Sequence, residues 1–338
     1  MIKWKSIFKM KLQNPCYNKE KLHTKRPLVV LTGPTAVGKT ALSIAFAKAI
    51  QGEIISADSM QVYRGMDIGS AKIRKEEMDG VPHHLLDILE PDEPFNVMIF
   101  QQLAKKAIRE IYDRGHIPIL TGGTGFYIQS VLYDISFTEE SDITVRERLE
   151  REANEKGAKY LHEKLAKVDP ATAENIHANN IKRVIRALEF YELNGYPLSQ
   201  HNETERRKSS PYLFRYYVLN EPRELLYERI EKRVDQMLTE GLVAEVEALK
   251  ERGCTRDMVS MQGLGYKEIL DYLAGVCTLE EAIDTIKKET RHFAKRQLTW
   301  FRREKEVTWV EKSSFKDAQE LLTFLIEDYK KYIGSKLV

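Results

Sequence analysis

Residues 28–40 read LVVLTGPTAVGKT. The run Leu28 to Leu31 is wholly apolar, the pattern of a strand buried on both faces. After Thr32 it passes straight into Gly33-Pro34-Thr35-Ala36-Val37-Gly38-Lys39-Thr40, a full match to G-x-x-x-x-G-K-[ST]. An apolar-periodic stretch follows, with Leu42, Ala45, Phe46, Ala49 and Ile50 on one side of a helix. Strand, glycine loop and helix in this order make a phosphate cradle. The glycines let backbone N–H groups turn inward, and the helix N-terminus adds positive potential. Lys39 reaches the terminal phosphate, and the Thr40 hydroxyl is the expected Mg²⁺ ligand. The motif specifies a diphosphate or triphosphate, not ATP in particular.

The alternation continues outward from this loop. A second short strand, Glu53 to Ala57, ends at Asp58-Ser59. A helix with Phe100, Leu103, Ala107, Ile108 and Ile111 on its inner face runs up to Gly115. The strand Ile117 to Leu120 then enters Thr121-Gly122-Gly123-Thr124-Gly125. This predicts an α/β fold with a parallel-sheet core and helices on both faces. Residues 144–206 are charge-dense and helical, without strand signal. One helix there starts after Asn179 or Asn180, carries Ile181, Val184, Ile185, Leu188 and Tyr191, and stops at Gly195. Strand character returns at Tyr212 to Leu219, and the remainder reads as helical, with Leu226, Ile230, Val234 and Met237 in one stripe. The expected organisation is a P-loop core from 27–135 and 207–338, interrupted by an all-helical insert at 136–206. A basic, disordered tail is expected at 1–26.

Composition bounds the function. The chain has 338 residues, 42% of them hydrophobic, enough for a large core. Cys16, Cys254 and Cys277 are scattered, which argues against a disulfide framework and a structural zinc site. No stretch approaches the roughly 18 apolar residues that would span a bilayer, so no membrane association and a cytoplasmic location are expected. Residues 1–26 hold eight basic groups and one acid, which leaves the body at 45 basic against 50 acidic groups, a net of −5. Any nucleic-acid site must therefore be a local patch.

Several residues carry candidate chemistry. Asp58 sits at a strand's carboxyl end, where α/β sheets place ligand contacts. It suits a Mg²⁺ ligand, a base for a hydroxyl, or a plain loop cap. The Ile117 to Leu120 strand ends without the acid that often holds Mg²⁺ in P-loop hydrolases. Its glycines predict close approach of a bulky substrate to the backbone. Residues 287–305 combine Lys287, Lys288, Arg291, Lys295, Arg296, Arg302, Arg303 and Lys305 with Phe293, Trp300 and Phe301. That mixture suits phosphate contacts with stacking, or a solvated amphipathic helix. Lys182, Arg183 and Arg186 form a smaller cluster, the two arginines sharing a face. Arg229 and Arg233 lie four apart, a spacing that often marks surface ion pairs. Adjacent His83 and His84 do not converge on a metal and read as structural or as ordinary loop residues.

Together these segments resemble the bacterial tRNA dimethylallyltransferase family. The matching stretches are GPTAVGKT, SADSMQVYRGMDIGSAK from Ser56, PHHLLDI from Pro82 and LTGGTGFY from Leu120. NNIKRVIRALE from Asn179, RELLYERIEKRVDQM from Arg223, QGLGYKE from Gln262 and KRQLTWFR from Lys295 complete the set. The resemblance runs in order from about Pro27 to Trp309. It implies that the P-loop, Gly33 to Thr40, holds the diphosphate of dimethylallyl diphosphate. The acceptor is then the exocyclic amine of the adenosine 3′-adjacent to the anticodon. The resemblance makes Asp58 the base and gives Lys39, Thr40 and Arg233 to the leaving diphosphate, with Arg229 as the rival for Arg233's place. It implies tRNA contacts at Asp58, Ser59, Met60, Gln61, Thr124 and Arg146. Further tRNA contacts are implied at Lys182, Arg183, Arg186, Gln262, Gly263, Gly265, Tyr266 and Lys267, and again at Lys295, Arg296, Gln297, Trp300 and Arg302. Mg²⁺ is the implied cofactor, the tRNA anticodon stem-loop the implied partner, and a monomer the expected state.

Three rival readings use the same residues differently. A small-molecule kinase would place ATP in the loop and use Asp58 on a hydroxyl. A related isopentenyltransferase would prenylate a free adenine nucleotide. A non-catalytic, nucleotide-gated RNA binder would not need Asp58. The long helical segment and the two basic clusters favour a large RNA acceptor.

Overall fold

The computed structural model describes residues 25–137 and 143–336. Strand β1 (Arg26–Thr32) leads through the P-loop to α1 (Lys39–Ile50) and β2 (Gly52–Ser56). Two-residue β3 (His83–His84), α2 (Val97–Asp113), β4 (Ile117–Gly122) and α3 (Gly125–Leu132) follow. Five helices come next: α4 (Ile143–Lys156), α5 (Ala158–Val168), α6 (Pro170–Asn175), α7 (Ile181–Asn194) and α8 (Leu198–Arg206). The chain then forms β5 (Tyr212–Asn220), α9 (Arg223–Thr239), α10 (Leu242–Glu251), α11 (Tyr266–Leu273) and the long α12 (Leu279–Phe301). It closes with β6 (Val307–Glu311) and α13 (Ala318–Lys336).

The six strands form one sheet in the order β3-β2-β4-β1-β5-β6, and every pairing is parallel. Parallel pairing requires a crossover between neighbours, which the helices supply. Successive residues of a strand face opposite sides. Val29 and Leu31 thus join Ile44, Phe46, Leu325 and Tyr329 in the core against α1 and α13. Leu28 and Val30, equally buried, face the other side, where α2 and α3 lie. There Phe100 stacks on Tyr127 at 4.5 Å, and Gln101 donates to the Ser130 carbonyl.

The chain divides into two compact units, Met1–Leu132 with Pro211–Val338, and Tyr133–Ser210. The described part of the second unit is all helical and has its own core, built on Leu149, Leu161, Leu165, Val184 and Leu188. Buried Asp169 ties it together by accepting the backbone N–H groups of Thr172 and Ser199 at 3.0 and 2.9 Å.

Two sequence expectations need correction, and one open alternative is resolved. Most of the expected tail, residues 1–24, lies outside the described residues. Its last residue, Arg26, belongs to β1, where it pairs with Tyr212 and stacks 3.7 Å over the Tyr112 ring. The region after Leu219 is not wholly helical, because β6 pairs with β5. At five residues, with Trp309 exposed, β6 has no continuous apolar run to announce it. His83 and His84 form the edge strand β3, which is too short to show a periodicity.

Beside β3 a polar cluster sits on a buried acid. Glu53 accepts two bonds from Arg114 (2.8 and 2.7 Å), one from His84 (2.7 Å) and one from His116 (2.6 Å). Burial alone would raise its pKa, but these hydrogen bonds outweigh burial and hold it at about 2. The folded value lies below the ordinary one, so the unfolded chain takes the proton first as pH falls. Glu53 therefore stabilises the fold above pH 4.5, and the contribution is lost as pH drops towards 2. We expect on the order of 2–3 kcal/mol to disappear over that window. Glu53→Gln should remove this pH dependence; a urea-midpoint profile identical to wild type would refute the assignment.

Candidate active site

Parallel strands present their carboxyl ends on one edge of the sheet, the usual place for ligands in α/β folds. β1 delivers the P-loop, β2 delivers Asp58 and β4 delivers Thr124. Glu221 directly follows β5, and Lys312 directly follows β6. In the P-loop, Gly38 caps α1 in the left-handed conformation, φ 91° and ψ 31°, which favours glycine. The Lys39 ammonium donates to the Gly33 and Pro34 carbonyls at 3.0 and 2.8 Å. Thr40 is exposed at the first turn of α1.

Lys39, Arg233 and Asp58 lie close enough to feel one another's charge. Burial pushes the Lys39 ammonium down to about 7, the positive charge of Arg233 adds to the effect, and Asp58 opposes it. Burial likewise lowers Arg233, with Asp58 opposing. Arg229 is placed differently. It ion-pairs with Glu221 at 3.1 Å and lies beside Gly38, the residue before Lys39. One Asp58 oxygen accepts the Met60 N–H at 2.9 Å, so the loop-cap reading describes half of the carboxylate.

The glycines at and after the end of β4 serve a purpose other than the expected one. A Cβ on Gly122 would lie 2.3 Å from the Ala57 carbonyl oxygen. One on Gly123 would lie 2.0 Å from the Gln297 amide nitrogen, and one on Gly125 would lie 2.1 Å from the Trp300 ring. The space above them is filled by the protein itself, not left for a substrate. Gly122 lets β4 close on Ala57, the residue before Asp58, and so sets the position of Asp58 relative to the P-loop.

Several residues expected at an RNA surface are buried. Gln297 donates to the Gly123 carbonyl at 3.0 Å and accepts the Thr35 N–H at 2.8 Å, which ties α12 to the P-loop. Tyr266 has no exposed surface; its hydroxyl donates to Glu245 at 2.8 Å and accepts the Ser70 N–H at 3.2 Å. Glu245 in turn accepts the N–H groups of Asp67, Ile68 and Gly69 at 2.9, 2.8 and 3.1 Å. Gly263 and Gly265 are buried in the same corner, with Gly263 packed near Met60. These residues brace the loop after β2; they do not present a contact surface. The same loop is organised by Lys72, whose buried ammonium bonds Tyr63 O, Asp67 and Asp87 at 2.6, 2.6 and 2.5 Å. Gln61 also turns inward, with its amide bonded to Ser56, Ser70 and Ala71.

Other candidates stay accessible. Lys295, Arg296 and Arg302 are exposed on or beside α12, and Gln262 is exposed although it donates to the Arg256 carbonyl. Ser59, Met60, Thr124, Lys267 and Trp300 are half-buried, Trp300 making an edge contact with Phe126 at 5.9 Å. Two members of the α12 basic cluster are already used, since Lys287 pairs with Asp235 and Arg291 with Glu231 on α9. In the second unit Lys182 and Arg183 are exposed, while Arg146 and Arg186 both pair with buried Glu189 at 2.6 and 3.3 Å. Lys312, Glu221, Gln297 as a P-loop brace and Glu245 were missed by the sequence reading. Only Glu221, at a strand end, offered any local signal. Among the described residues no group of three His, Cys, Asp or Glu is placed to hold a metal, and no helix is long and apolar enough to cross a membrane.

A parallel sheet, a complete glycine loop at its central strand and an acid within electrostatic reach of that loop's lysine define a P-loop protein. The IPP transferase family model matches residues 61–304, and the chain belongs to that family. It is 60% identical over 303 residues to tRNA dimethylallyltransferase of Lachnoclostridium phytofermentans, covering 89% of this chain and 97% of that one. It is 52% identical to the enzyme of the same name from Carboxydothermus hydrogenoformans, covering 88% and 94%. Among solved structures it resembles full-length tRNA isopentenylpyrophosphate transferase of Bacillus halodurans, with TM-score 0.69, 46% identity and coverage of 93% and 100%. A eukaryotic dimethylallyltransferase acting on tRNA matches with TM-score 0.78 and 28% identity over 92% of this chain and 80% of that one.

Proposed function

We propose that this protein transfers a dimethylallyl group from dimethylallyl diphosphate to the exocyclic amine of the adenosine 3′-adjacent to the anticodon of tRNA. The observation that carries the reading is that Asp58, after β2, and the P-loop Lys39, after β1, lie at one strand-end edge, with the buried Arg233 of α9 within electrostatic reach of both. An aromatic exocyclic amine is a weak nucleophile because its lone pair is delocalised. Asp58 accepts a proton from that nitrogen as it attacks the allylic carbon, forming the N–C bond while the C–O bond to diphosphate breaks. Lys39, Arg233, the N–H groups of Gly38 to Thr40 and the start of α1 stabilise the departing charge. The target base leaves the anticodon stack to reach Asp58.

Mg²⁺ fits this site through its usual habit of using few protein ligands beside phosphate oxygens and water. The exposed Thr40 hydroxyl would hold it, and it would add charge stabilisation to the leaving diphosphate. Exposed Lys295, Arg296 and Arg302 suit the phosphate backbone of tRNA. In the second unit, Lys182, Arg183, Arg146 and Arg186 suit the same partner.

The reading is tested by offering the purified protein unmodified tRNA, Mg²⁺ and either labelled dimethylallyl diphosphate or labelled ATP. Label on tRNA from the first donor is the expected result. Phosphate transfer from ATP without prenylation would mean a kinase. Prenylation of free adenine nucleotide in preference to tRNA would move the acceptor to a small molecule.

A further inference from the structure

The P-loop is gripped from a part of the chain beyond the family match. The Lys312 ammonium, just past β6, donates to the Val37 carbonyl at 2.9 Å. It is held there by Glu221, 3.5 Å away, whose other cation is Arg229. Lys312 is 19% exposed and Glu221 6%, so neither is a loose surface charge. The ammonium would lie 3.4 Å from a Cβ on Gly38.

Peptide geometry gives this contact a consequence. The Val37 carbonyl and the Gly38 N–H belong to one planar trans peptide and point in opposite directions. Fixing the carbonyl on Lys312 fixes the N–H on the opposite side, and the inward N–H groups of such a loop hold phosphate. A cation on the carbonyl also polarises the peptide and makes its N–H a stronger donor. The same logic is visible one turn earlier. The Thr35 N–H is drawn to Gln297, and the Pro34 carbonyl of that peptide meets Lys39 at 2.8 Å.

We propose that Lys312 is a positioning residue for diphosphate, acting through the Val37–Gly38 peptide of the P-loop and not by contact with the ligand. The proposal rests on the reading that this loop takes a diphosphate. Inorganic pyrophosphate is therefore the probe, its binding measured by calorimetry on the full chain. Lys312→Met is expected to weaken pyrophosphate about tenfold, the size of one hydrogen bond to a charged group, and to raise the donor KM to match, with the tRNA KM unchanged. It should also shift the Gly38 amide resonance of the ligand-free protein. Lys312→Arg, which keeps a charged donor, should stay within about threefold of wild type in pyrophosphate affinity.

Unchanged pyrophosphate affinity in Lys312→Met overturns the proposal. So does weaker binding with an unmoved Gly38 resonance, because that pattern means direct contact with the ligand. If Lys312→Met does not fold, Lys312→Arg decides: loss of pyrophosphate binding in that folded variant also overturns it. A wild-type protein that does not bind pyrophosphate would instead sink the diphosphate reading itself.

Discussion

Asp58→Asn is expected to lower turnover by about 10²–10⁴, the usual weight of a general base. Asparagine is the informative replacement because one Asp58 oxygen already accepts the Met60 N–H. An amide oxygen can keep that bond and the turn, while the group loses its capacity to take a proton. Dissociation constants for tRNA and pyrophosphate should therefore stay within about threefold of wild type, as should the melting temperature within a few degrees. Single-turnover measurement with saturating tRNA and donor isolates the chemical step. A variant that transfers the prenyl group at the wild-type rate would remove Asp58 from catalysis and leave it as a loop cap.

Lys39→Met should cost about 10²–10³ in kcat/KM for the donor, as expected for loss of one preorganised group on developing negative charge. The pH profile sharpens the test. Burial and the neighbouring Arg233 bring the Lys39 ammonium down to about 7 in the free protein. Below that pH the group carries its proton and is ready for diphosphate; above it the neutral amine must be recharged on binding. Wild-type kcat/KM for the donor is thus expected to decline as pH rises through about 7. The methionine variant should be slower throughout and lack this alkaline limb. Retention of the limb in Lys39→Met would assign it to another group.

Much of the candidate site was legible in the sequence because its signals are local. An apolar strand, a glycine pattern and a helix are contiguous between Leu28 and Ile50, so the P-loop needed no distant partner to be read. Asp58 and the glycines after Leu120 showed themselves as strand ends for the same reason. The α/β class followed from the alternation of buried strands with amphipathic helices. Residue type alone could not separate contact residues from braces. Tyr266 and Gln297 stand in motifs that look like RNA-binding surface, yet both are buried, one holding the loop after β2 and the other the P-loop.

By itself the sequence determined the parallel P-loop core and the identity of its lysine and acid, because backbone conformation and strand burial depend on neighbours a few residues apart. Tertiary structure alone buried Arg233 near Lys39 and Asp58 and paired Arg229 with Glu221. It alone brought Lys312 to Val37, 275 positions away in the chain. Side-chain pairing of that kind depends on how strands and helices cross in space, and no periodicity along the chain encodes it.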